Sequence, residues 1–387
     1  MKYSFKKINI EAPFPTTQCG HSCQTFELTT FKDHLYARAL GIQDDDKWII
    51  HISFDLLAFD YENKMKLQNT LRDYYKTDKL FVITSATHTH YANSVRNPKY
   101  VEYLANLLPQ EIEKMEYVEK NNVTTTYQRM HTNACGKSRI SGYDSNNETL
   151  GLVRFFEGED NFLNIVYNNC HPTTLDAMSQ FFSAEYPGYV LKKLEDKYDA
   201  DFTFMQGAAG DISSRFVRSG QSYEAMTELG DKLTEEVISL FEKETVKVPL
   251  KVEYKETTVK YEHEFTPIDL SNVRADLSER ELETIRIGSE ERKKLEKKCN
   301  EIFGYLPEFA QVVSLSFGSI KFIFYPNEIF SAYMDGLDLD KELLVSYSNG
   351  YGSYILPIDF PFITYEMFTD TLSRKTKENI IETIRSI

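Results

Sequence analysis

His88 and His90 stand one residue apart in Ser85-Ala86-Thr87-His88-Thr89-His90, two of eight histidines in the chain. Imidazole binds divalent metals and also carries protons near neutral pH. In an extended segment, residues i and i+2 point the same way, so both rings are expected to face one side. Such a pair can pair a metal ligand with a proton carrier, or simply close a strand with two polar residues. A third imidazole, His171, opens His171-Pro172-Thr173-Thr174 directly after an apolar run, and the proline stops the run and fixes the backbone. Alone it reads as structural; beside His88 and His90 it points to a shared site.

Two other groups carry less. In "DFTFMQGAAGDISSRF", Gly207 and Gly210 let the backbone pass close to a neighbour, and Asp211 either orients a ligand or caps the turn. Neither a Walker pattern nor a dinucleotide fingerprint is present, so this reads as a structural turn near the pocket. Cys19, His21 and Cys23 crowd together, but no second Cys or Cys/His pair at structural-zinc spacing follows, and a glycine-containing loop is the better reading. No GxSxG elbow supports serine chemistry.

The elements that must position these groups are legible as alternating runs. "KLFVITSA" and "NFLNIVYNN", which deliver the histidines, read as buried strands, as do "KWIIHISFDL", "LGLVRFFE", "DFTFMQG", "LKVEYKETTVKYEH", "QVVSLSFGSIKFIFYP" and "ELLVSYSNG". Helical patterns fall at 60–76, 97–116, 183–197, 222–244, 273–301, 327–336 and 371–386. The pattern predicts an α/β fold of mixed β-sheets flanked by α-helices. The segment 273–301, dense in both signs of charge, predicts a solvated helix.

The 387 residues suffice for a large core, and 41% apolar content with 13% aromatics indicates a folded globular protein. No low-complexity linker divides them. A net charge of −15 argues against general affinity for nucleic acid or anionic membranes. No window approaches about 18 consecutive apolar residues, so no membrane span is expected. The first residues lack an apolar leader pattern, which predicts a cytoplasmic protein. Five cysteines do not form a disulfide framework.

The motif order resembles the neutral/alkaline, non-lysosomal ceramidase family, zinc amidases that cleave the N-acyl bond of ceramide. The resemblance rests on "SATHTH" at 85–90, "HPTT" at 171–174, "SAEYPG" at 183–188, "QGAAGDIS" at 206–213, "YPNEIF" at 325–330 and "NGYGSYILP" with "TYE" at 349–366. It implies a ceramidase catalytic-domain-like fold over residues 1–387 as a single unit, without a C-terminal β-sandwich domain. It also implies Zn2+ held by His88, His171, Glu328 and Tyr354, with Tyr351 and Tyr347 close to the last. His90 is implied as a proton shuttle, and Arg139 and Tyr365 as hydrogen-bond donors to a developing oxyanion.

The implied reaction is zinc-dependent hydrolysis of an N-acyl amide of small-molecule size. A non-catalytic binding relative and a metal-dependent esterase are the alternatives. Where the family usually continues into a Gly/Pro-rich turn, this chain reads "HTHYANSVRNP", so the pocket wall differs. With the acidic surface, this predicts a substrate smaller or more polar than membrane ceramide.

Overall fold

The computed structural model describes residues 1–387 apart from 22, 23, 133 and 145–147. Cys23 of the Cys19-His21-Cys23 group therefore lies outside the described residues. Two five-stranded sheets form the centre. The first runs in the order Leu80–Ala86, Lys47–Phe54, Tyr36–Asp44, Lys2–Asn9, Val118–Glu119, with only the Leu80–Ala86/Lys47–Phe54 pair parallel. The second runs Asp201–Gln206, Asp160–Asn168, Thr149–Glu157, Val123–His131, Val248–Pro249, and again only its first pair is parallel.

Period-two alternation sorts the side chains of each sheet between two cores. Ile50, Ile52 and Val82 turn outward to Leu67, Leu71, Leu104 and Leu108 of the helices Tyr61–Tyr75 and Pro98–Glu113. Leu152, Val166 and Phe204 turn to the helices Glu185–Lys197 and Tyr223–Phe241. The opposite faces meet in one cluster, where Ile49 and Ile83 join Ile165, Tyr167 and Met205. The four-stranded sheet Val252–Lys260, Phe309–Phe317, Ile320–Phe324, Glu342–Val345 adds Val313, Phe322 and Leu343 to it. Helices thus cover the outside of mixed sheets, as the sequence predicts. No described helix is long and apolar enough to cross a membrane.

Two expectations change. The segment 327–336 is not a helix: Asn327–Ile329 pairs in parallel with Gly352–Ile355, and only a 3-10 turn, Ser331–Met334, follows. Strand pairing with a distant segment overrides the local helical pattern. The charged segment is a helix over Glu279–Leu295, started by a Ser278/Glu281 capping box. It is solvated on one side only, because Ile285, Gly288 and Leu295 are buried. A Cβ at Gly288 would lie 3.0 Å from Phe368, so this helix sits tightly on the short helix Tyr365–Thr369.

Lys64, fully buried on Tyr61–Tyr75, donates to Gln311 Oε1 at 2.8 Å. Burial pushes its ammonium down from 10.5 to about 8. The folded protein therefore resists charging Lys64: the penalty is full below about 8 and vanishes as pH rises past the unfolded value of 10.5. Lys64→Met removes this term. Urea denaturation from pH 7 to above 10 should show the stability of wild type relative to Lys64→Met rising by on the order of 3 kcal/mol. A difference independent of pH would show that Lys64 is well solvated.

Candidate metal centre

Strand ends from all three larger sheets converge and are stitched by backbone. Ala86 N–H donates to Tyr347 O (3.1 Å), Ser346 N–H to Gln206 O (2.9 Å) and Gly207 N–H to Asn168 O (2.9 Å). These bonds fix the loops carrying His88, Tyr347, the 207–213 turn and His171 relative to one another.

His88 lies beyond its strand with φ of 66°, the left-handed region that costs a non-glycine residue of order 1 kcal/mol. Its N–H donates to Leu56 O (3.0 Å), and Nδ1 donates to Leu57 O (2.7 Å). The ring is therefore held with Nε2 as a lone pair. Strand alternation is thus not what aligns His88 with His90; a left-handed turn is. In His171, the backbone N–H donates to Ile212 O (2.9 Å) and Nδ1 lies 3.4 Å from Ala209 O, again leaving Nε2 turned inward. His90 Nε2 lies 3.3 Å from His88 Nε2 and 3.0 Å from His171 Nε2. The coordinating nitrogens of all three buried imidazoles lie within 4.8 Å of one another.

Glu328 joins them through its strand. Its Oε2, buried and without a hydrogen-bond donor among the described residues, lies 3.4 Å from His88 Nε2. Two lone-pair atoms at that separation call for a proton or a cation between them. Tyr351 donates its hydroxyl to Glu328 Oε1. Tyr354, opposite Glu328 in strand register, has the Arg139 guanidinium 5.2 Å from its ring centroid. Tyr347 stacks on His88 (centroids 3.9 Å, 16°), with its hydroxyl buried and without a hydrogen-bond partner among the described residues. Of the three tyrosines, Tyr351 is the one hydrogen-bonded to the carboxylate.

Arg139 is far from a plain surface residue. It pairs with Glu366 Oε1 and donates to Gly210 O, both at 2.8 Å, while its Nε is buried without a hydrogen-bond partner among the described residues. Tyr365 opens the helix that carries Glu366, 6.0 Å from the Tyr354 ring. Its hydroxyl has no protein partner among the described residues. The supports are equally specific. Glu185, at φ 56°, accepts from the N–H groups of Thr174 (2.5 Å) and Leu175 (2.9 Å), holding the loop after His171. Asp211 accepts from Ser331 N–H (2.6 Å) and its hydroxyl (2.8 Å), tying the glycine turn to the chain just after Glu328.

The electrostatics disfavour charge on His90 and His171. Burial, reinforced by neighbouring imidazoles and Arg139, pushes His90 and His171 well below their ordinary value. Burial pushes the Glu328 carboxyl up, but His88, His171 and the Tyr351 hydroxyl outweigh it and hold the group at about 2. An anionic carboxylate beside imidazole nitrogens is a donor set suited to zinc.

His90, His171, Glu328, Arg139, Tyr351, Tyr354 and Tyr365 all open onto one cavity of about 620 Å³, roofed by Glu279–Leu295. Two neighbours of the site were not assigned from sequence. His21, lowered to about 4 chiefly by burial, packs on the His90 ring at 4.6 Å. Gly20, at φ 133°, lies so close that a Cβ would meet His90 at 2.4 Å, so only glycine leaves that ring its place. Their signal was the Cys19-His21-Cys23 cluster, which drew the eye to the cysteines. Glu366, adjacent to Tyr365, had no local signal.

The sequence matches no protein-family model and no curated protein. Among solved structures, neutral ceramidase from Pseudomonas aeruginosa is similar with a TM-score of 0.74 at 14% identity, covering 99% of this chain and 73% of that one. A ceramidase complexed with C2 is similar with a TM-score of 0.74 at 13% identity, over 99% of this chain and 74% of that one. The chain has the fold of neutral ceramidase.

Proposed function

We propose that the protein is a zinc-dependent hydrolase of N-acyl amides. The observation that carries this is the convergence of three Nε2 atoms with an orphaned carboxylate oxygen at the floor of a cavity. The fold shared with neutral ceramidase makes an amide the natural substrate class. His88, His171 and Glu328 hold the ion, with Tyr354 as fourth ligand, as the sequence resemblance implies. The hydrogen bond from Tyr351 to Glu328 favours Tyr351 as the second reading of that position. Zinc would polarise a carbonyl oxygen and lower the pKa of water to about 7.

The chain's own residues do the rest. His90, neutral and beside the metal ligands, takes a proton at a ring nitrogen and returns it to the departing amine. Arg139 stays charged: burial disfavours the cation, but Tyr354 and Glu366 more than compensate. Arg139 and Tyr365, both lining the cavity, are the donors for the oxyanion that forms as the carbonyl is attacked. The roof helix and the Tyr365–Thr369 helix limit water at the reacting centre.

The proposal takes residues 1–387 as one catalytic unit. It also keeps the expected cytoplasmic setting. The reading is tested by incubating zinc-loaded protein with N-acyl amides and the matching esters. Release of amine from an amide supports it; cleavage of esters alone would replace it with an esterase.

A further inference from the structure

The cavity is lined by an unusual number of cations for a chain of net charge −15. Arg96, Arg139, Arg215, Arg274, Arg286 and Lys294 each have a carboxylate within 3.5 Å. Arg218 and Arg280 have none among the described residues. Arg218 donates through Nη1 to Thr173 O (2.7 Å) and Thr174 O (3.2 Å), which anchors it to the His171 loop. Its remaining N–H groups meet no protein acceptor among the described residues. Arg280, exposed in the first turn of the roof helix, has only Gln221 Oε1 at 3.5 Å.

Both guanidinium groups line the same cavity. Burial and then the charge of Arg280 push Arg218 below its ordinary value, opposed by Tyr91 and Glu185; both arginines also bear on His21, which packs against His90 and feels Asp176 in the opposite sense. Two guanidinium charges on one cavity wall, neither in an ion pair among the described residues, favour an oxyanion bound beside them. Arginine suits this better than lysine, because its planar fork matches the two oxygens of a carboxylate or phosphate. The rest of the cavity gives no second such site, since its other cations are already neutralised.

We propose that Arg218 and Arg280 bind an anionic group of the substrate, so that the protein acts on N-acyl compounds bearing a carboxylate or phosphate, N-acylated amino acids being the simplest class. This rests on the amidase reading and narrows it. A neutral N-acyl amide would leave both guanidinium groups without an ion pair. Arg218 is bonded to the loop directly after His171, so a headgroup held there lies beside the metal centre.

The test compares three compounds with the same lauroyl chain on zinc-loaded protein: N-lauroylglycine, N-lauroyl-O-phosphoethanolamine and uncharged N-lauroylethanolamine. At least one anionic compound should exceed the neutral one in kcat/KM by about 10-fold or more, mostly through KM. The better anion identifies the headgroup. In Arg280→Glu, an exposed change that should not disturb folding, the anionic-to-neutral ratio should fall by about 10-fold. A preference for the neutral amide, or a ratio unmoved in Arg280→Glu, would overturn the proposal. If none of the three is cleaved, the amidase reading fails by itself, and calorimetry with the same compounds decides the anion site. Tighter binding of an anionic compound, lost in Arg280→Glu, keeps it; equal binding of charged and neutral compounds ends it.

Discussion

His171→Ala should lose zinc and, with it, amide hydrolysis, each by more than about 100-fold. Groups that merely orient metal ligands typically cost 10- to 100-fold when removed, and His171 is placed to contact the ion itself. Its Nε2 faces the other imidazoles, its backbone is bonded to Ile212, and burial keeps the ring neutral and able to coordinate. Alanine leaves Glu328 and His88 with an incomplete donor set. The check is zinc content after dialysis, measured with turnover and with thermal unfolding of the metal-free protein. Full retention of zinc at wild-type affinity would place the ion elsewhere.

His90→Ala should behave differently, keeping zinc while turnover falls by roughly 100-fold or more, the usual scale for removing an acid or base. The geometry makes this a demanding expectation, because His90 Nε2 lies as close to the other two Nε2 atoms as a ligand would. What separates His90 is its surroundings. Its Nδ1 is buried without a partner, whereas the Nδ1 atoms of His88 and His171 face carbonyl oxygens, as metal-binding imidazoles usually do. Gly20 and His21 press on the ring from the far side. Zinc lost from His90→Ala but kept by His88→Ala would exchange their roles.

What the sequence made visible followed from local apolar pattern. "KLFVITSA" and "NFLNIVYNN" are continuous buried runs, and both are strands that lead to histidines. Tyr36–Asp44 and Val123–His131 were not foreseen, because small, polar and threonine residues interrupt the apolar signal although pairing on both edges makes them strands. The 327–336 segment misled because its strand partner lies about two dozen residues on, beyond any local window. Of the site, the three imidazoles and Glu328 were legible as motifs and do come together. The partnership of Arg139 with Glu366, the choice between Tyr351 and Tyr354, and the closeness of Gly20 to His90 depend on long-range approach, which no spacing records.

The central claim is that one ion held by these side chains hydrolyses an amide, and metal-dependent turnover tests it most directly. Protein stripped with a chelator and dialysed should release no amine from N-lauroylglycine or N-lauroylethanolamine, and activity should return and saturate at one equivalent of zinc per chain. Amide cleavage that survives complete removal of metal, or a fully zinc-loaded protein that cleaves neither amide, would contradict the account.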